Sequence, residues 1–145
     1  MDEKEMFKRI LVAVDDSDDA QLAFEFAIKK AADIGAELYI VSILEPDDMN
    51  VYQVLSKDYI HGQRSELEEH IKSYVERARA AGVAKVFPLV SEGKPGKVIV
   101  HAVIPEIKPS VLVIGSLAKK GPKKYMGSEA AYMAKYASIS VLVVR

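Results

Sequence analysis

Along the chain, unbroken apolar runs alternate with stretches in which apolar residues return every three or four positions, and the two periods separate strands from helices. Ile10, Leu11, Val12, Ala13 and Val14 form the first run. A strand with no polar alternation is covered on both faces, as in the middle of a parallel sheet. Ala20, Ala23, Phe24, Ala27, Ile28 and Ala31 then recur at helical spacing, which predicts a helix over residues 18–33 stopped by Gly35. Asp16 or Ser17 is placed to cap it, with Asp18 and Asp19 in its first turn. A second strand is predicted over 37–44, ended by Glu45-Pro46.

An amphipathic pattern follows over 52–81, strongest at Leu67, Ile71, Tyr74, Val75 and Ala78, with Gly82 as its C-cap. Gly62 is a candidate break in it, leaving 51–62 as a separate segment of the kind that lies over ligand sites. Residues 84–90 read as a third strand, and Pro88 within it demands a sheet edge. Ser91, Glu92 and Gly93 read as a turn, and Pro95 opens a helix with Val98, Ile99, Ala102, Val103 and Ile107 on its buried stripe. A fourth strand over 111–115, a helix over 128–137 and a fifth strand over 139–144 complete the pattern.

Strands and helices strictly alternate, which predicts one doubly wound α/β domain over 1–145, an open five-stranded parallel sheet with helices on both faces. Such sheets bind ligands beyond the carboxyl ends of their strands, where the winding reverses. Asp15 and Asp16 stand at the end of the first strand, and Gly115 ends the fourth. If those two strands are neighbours, both tips face one crevice.

The stretch after Gly115 carries the clearest candidate chemistry. It holds Lys119, Lys120, Lys123 and Lys124 around Gly121-Pro122, and closes on Gly127-Ser128 where a helix begins. Backbone N–H groups, cations and the positive end of a helix dipole together suit a phosphate. The alternative is a pair of ordinary turn glycines in a loop kept soluble by lysines.

Composition narrows the ligand. The 145-residue chain has a formal net charge of −1, so the lysine cluster is local and fits a small anion better than a nucleic acid. With no cysteine there is no thiolate metal site, thiol nucleophile or disulfide. The charged opening MDEKEMFKR and the absence of a span-length apolar run predict a cytoplasmic protein that does not enter a membrane. His61, His70 and His101 lack metal-site spacing and read as surface or half-buried helical residues, so no metal ligands are assigned. No histidine is placed to serve Ser128 as a base, and no P-loop GK(S/T) sequence is present.

KRILVAVDDSDDAQLAFEFA, VSILEP, VSEGKPGKVI, VLVIGS and GSEAAYMAKYASISVLVVR, in that order, resemble the universal stress protein family over the whole chain. The resemblance implies an adenine nucleotide alpha hydrolase-like sheet of strand order 3-2-1-4-5 and the binding of ATP, with or without Mg2+. It makes Asp15 the carboxylate that accepts hydrogen bonds from the ribose hydroxyls, a role suited to a group that only accepts. Ala13, Val14 and Ile43 would wall the adenine, and Gly115, Ser116, Gly127 and Ser128 would meet phosphates through N–H groups and hydroxyls. The family's Gly-x2-Gly-x9-Gly-(Ser/Thr) pattern is not kept: its second glycine falls on Ala118, and eight residues separate that position from Gly127. Gly121 stands as a partial substitute. The implied protein is a dimeric nucleotide-binding sensor or regulator with at most weak ATP hydrolysis, paired through Val141, Leu142, Val143 and Val144. A nucleotide-free interaction protein and a slow ATPase are the alternatives.

Overall fold

The computed structural model describes residues 2–45, 57–116 and 126–145. Its elements are α1 (Glu3–Met6), β1 (Arg9–Ala13), α2 (Asp18–Ile34), β2 (Glu37–Leu44), α3 (Lys57–Ala80), β3 (Lys85–Glu92), a helical stretch over 95–107 that we label α4, β4 (Val111–Gly115), α5 (Ser128–Tyr136) and β5 (Ser140–Val144). All four strand pairings are parallel, in the order β3-β2-β1-β4-β5. The winding thus reverses between β1 and β4, where Val12 pairs with Val113.

The apolar runs become central strands because both faces of the sheet are covered. Ile10, Val12, Leu38, Ile40, Val111 and Val113 pack under Phe24 and Ala27 of α2 and Ile71, Tyr74 and Ala78 of α3. On the opposite face, Leu11, Val41, Leu112 and Ile114 meet Ile99, Val103 and Ile104 of α4 and Met133 of α5. Pro88 lies in β3, an outer strand where its missing N–H leaves no central ladder bond unmade.

Several local expectations are corrected. Gly62 does not break the helix: α3 runs through it, and nothing lies within 4 Å of where its Cβ would be. Ser91 and Glu92 belong to β3, pairing with Ile43 and Leu44, and the turn falls at Gly93, whose N–H donates to the Leu44 carbonyl. Ser17, not Asp16, caps α2 by accepting from the Ala20 N–H. The helix after Pro95 continues to 107 by widening over Ile99–Val103, where the Ile104 N–H reaches back to the Ile99 carbonyl. Pro105 has no N–H for the regular ladder at that point, which accounts for the change of pitch there. Residues 51–56, the expected start of the amphipathic stretch, fall outside the described residues.

Candidate functional site

Beyond Ala13 the Val14 N–H donates to the Val41 carbonyl at 2.9 Å, so the pairing with β2 carries Asp15 and Asp16 just clear of the sheet. There they meet a cavity of about 130 Å³ lined by Val14, Asp15, Asp16, Ser42, Ile43, Glu45, Leu67, His70 and Tyr74. Whole small-molecule pockets usually span about 300–1,000 Å³. The described walls therefore suit one ring-sized part of a ligand, with the remainder outside.

Asp15 is exposed, and its Oδ1 accepts from the Ser17 N–H at 3.0 Å. Asp16 faces α3: its Oδ1 accepts from the Tyr74 hydroxyl and lies 2.9 Å from His70 Nε2. A carboxylate only accepts, so that imidazole nitrogen carries the hydrogen. Gln21 Nε2 donates to the Tyr74 hydroxyl oxygen at 2.7 Å, and Arg77 Nη1 donates to Gln21 Oε1 at 2.9 Å. The Arg77 guanidinium also lies over the Phe24 ring, 4.7 Å from its centre. Burial works to raise the Asp16 carboxyl, but the hydrogen bonds from His70 and Tyr74 outweigh it and hold the group below the ordinary aspartate range. Burial, and then the bond to Asp16, push the Tyr74 phenol up to about 12, so it remains a donor at neutral pH.

The tip of β4 lies beside β1, as the crevice requires. Gly115 is packed on the start of α2: a Cβ there would stand 2.6 Å from the Asp19 carbonyl carbon and 2.7 Å from the Ala20 nitrogen. Ser116, 3% exposed, donates its hydroxyl to Asp19 Oδ2 at 2.9 Å. A buried donor with a carboxylate partner is satisfied, and here it ties the end of β4 to the first turn of α2. The Gly127 N–H donates to the Ser116 carbonyl at 2.9 Å, so the chain leaves and returns at one point before α5 begins at Ser128.

Of the residues expected at the site, Val14, Asp15 and Ile43 share the cavity. Ala13 ends β1, while Gly115, Ser116, Gly127 and Ser128 cluster at the β4 and α5 side and do not line it. Ala118, Gly121, Lys119, Lys120, Lys123 and Lys124 fall outside the described residues. Sequence reasoning missed Ser42, Glu45, Leu67, His70 and Tyr74. His70 and Tyr74 stand one helical turn apart, which puts them on one face of α3, but nothing in the sequence ties that face to Asp16, 54 residues before His70. Among the described residues no three metal-ligating side chains converge, and no helix is long and apolar enough to cross a membrane.

The parallel sheet in the order β3-β2-β1-β4-β5, with a carboxylate-lined cavity beyond the tips of β1 and β2 against α3, defines the class: a doubly wound α/β domain. The sequence matches the Universal stress protein family over residues 6–145, and the chain belongs to that family. It is 31% identical to a Staphylococcus haemolyticus protein classed with the universal stress proteins, over 96% of this chain and 85% of that one. The fold superposes on universal stress protein UspA from Lactobacillus plantarum with TM-score 0.82 at 22% identity, covering 96% and 98% of the two chains. The universal stress protein from Archaeoglobus fulgidus, solved in complex with dAMP, is similar with TM-score 0.68 at 25% identity, over 97% and 99%.

Proposed function

We propose that the protein binds an adenine nucleotide, ATP foremost, in the crevice between the tips of β1 and β4, and works as a binding module, not an enzyme. The observation that carries this reading is Asp15 lining a cavity together with Val14 and Ile43, at the end of β1, the strand next to β4. No described residue engages its second carboxylate oxygen. A carboxylate so placed accepts hydrogen bonds from a sugar diol, and the apolar walls take the base. Asp15, Val14 and Ile43 would therefore hold the nucleoside, with Ala13 behind them. The backbone N–H groups of Gly115, Ser116, Gly127 and Ser128, with the lysine-bearing stretch between them, would meet the phosphates. Mg2+ would arrive on the phosphates, because it keeps most of its waters and leans on few protein ligands. The dAMP complex of the Archaeoglobus fulgidus protein supports the ligand class.

The edge position of β5 supports dimerisation through Val141, Leu142, Val143 and Val144, since no described strand pairs with its outer side. The departure at Ala118 favours the second reading, a nucleotide-free interaction protein of the same fold.

Calorimetric titration of the purified protein with ATP, AMP and dAMP, each with and without magnesium, tests the first reading. Asp15→Ala should weaken ATP by about tenfold, the scale of a lost hydrogen bond to a charged group. Stability should stay within about 0.5 kcal/mol, because the side chain is exposed. No binding of any of the three nucleotides by the wild type, or equal affinity in Asp15→Ala, overturns the assignment.

A further inference from the structure

Asp16 adopts φ 66°, in the left-handed region, which residues with a Cβ enter uncommonly and aspartate and asparagine more readily than most. It is held there from far along the chain: His70 and Tyr74, 54 and 58 residues on, both engage its Oδ1. Asp15, by contrast, has one local tie, the Ser17 N–H, and no side-chain partner among the described residues. The direction of the Asp15 carboxylate is therefore set by the backbone turn at Asp16.

We propose that Tyr74 and His70 are positioning residues for the ribose-binding carboxylate: by gripping Asp16 they fix the left-handed turn that aims Asp15 into the crevice. The proposal rests on the adenine-nucleotide reading of that crevice and adds to it a dependence on α3. A glycine at position 16 would reach the same φ unaided and would also leave it freely. Aspartate tolerates this region without being confined to it, and the two donors from α3 hold it there. The grip is stiff because Tyr74 is itself anchored: it is 2% exposed, its ring meets Phe24 edge-on with centres 4.9 Å apart, and its hydroxyl accepts from Gln21. Arg77 in turn fixes Gln21, so α2 and α3 hold the turn jointly.

The experiment uses two readouts on the same variants. The first is the NMR shift and hydrogen exchange of the Ser17 amide in the ligand-free protein, which report where the Asp15 carboxylate lies. The second is ATP affinity by calorimetry. Tyr74→Phe keeps the ring packing and removes the hydroxyl, Asp16→Ala removes the acceptor and tolerates the turn poorly, and Asp16→Asn keeps an acceptor and a residue at ease in that region. Tyr74→Phe and Asp16→Ala should expose the Ser17 amide and weaken ATP about tenfold, while Asp16→Asn restores both to within about twofold. His70→Ala, on an exposed part of α3, should act in the same direction by a smaller factor, and it decides the matter if Tyr74→Phe fails to fold. A Ser17 amide unmoved in Tyr74→Phe and His70→Ala sinks the positioning role. Wild-type protein that binds neither ATP, AMP nor dAMP sinks the nucleotide reading instead, and the Ser17 amide still tells whether α3 sets the Asp15 turn.

Discussion

At the tip of β1 the turn is held from outside its own element, by donors on α3 that reach Asp16, whereas at the tip of β4 the chain is held by close backbone packing against the first turn of α2. The β1 tip leaves Asp15 exposed on a cavity, whereas the β4 tip packs half-buried Gly115 against the backbone of α2 and buries Ser116. The two halves of one crevice thus answer to different parts of the molecule. A side-chain clamp can be released by losing one hydroxyl, while a backbone contact yields only if the strand or the helix moves. The β1 side of the crevice is therefore the more easily released, and the β4 side the more rigid.

The largest expected effect breaks the rigid half. Gly115→Ala puts a methyl group within 2.6–2.8 Å of the Asp19 and Ala20 backbone, where no flexible side chain can give way. Overpacking of this kind typically costs about 1–3 kcal/mol, and a clash with backbone that no side chain can relieve belongs at the upper end, about 3 kcal/mol. Urea unfolding of the variant checks this. A loss under about 1 kcal/mol would mean that α2 slides easily and that the two tips do not differ in stiffness.

Next comes the clamp, read through pH. The folded-state pKa of Tyr74 is about 12 against an ordinary 10. A group whose pKa rises on folding stabilises fully below its unfolded value, and that contribution fades as pH climbs through the folded value. Wild-type protein should therefore lose stability between pH 10 and 12, by on the order of 2 kcal/mol from this residue. Tyr74→Phe should begin less stable at pH 8 and show a flatter alkaline limb, so the two proteins converge. Paired urea titrations at pH 8 and pH 11 measure the difference. Parallel curves would show that the Tyr74 hydroxyl contributes little to the turn.

How much of this arrangement the residues announce beforehand depends on the kind of interaction. Unbroken apolar runs, Pro88 at an edge and Asp15 and Gly115 at strand ends were all legible, because strand burial and topology follow from local pattern and a few chain rules. Gly62 was misread because an exposed glycine lowers helix propensity by only about 1 kcal/mol, which the packed stripe of Ile71, Tyr74 and Ala78 overrides. Tyr74 was seen only as part of that stripe. Helical spacing fixes the face on which a tyrosine lies, not the partner its hydroxyl finds 58 residues away. Asp16 was weighed as a cap because capping is the commonest use of an aspartate before a helix, and Ser17 took that role instead.

Ser116→Ala gives the smallest expected effect and the sharpest test of the contrast. Removing the hydroxyl leaves Asp19 Oδ2 without its protein partner, but Asp19 is only half-buried and can turn to water. It also keeps its favourable place in the first turn of α2. The cost should therefore be about 1 kcal/mol in urea unfolding, the low end for a broken hydrogen bond to a charged group. ATP affinity should stay within about twofold, since the hydroxyl points into the packed junction of β4 with α2 and only the N–H of this residue is left for a phosphate. A tenfold loss of ATP with unchanged stability would reverse the assignment. The hydroxyl would then swing from Asp19 to the ligand on binding, and the β4 tip would be as adjustable as the β1 tip.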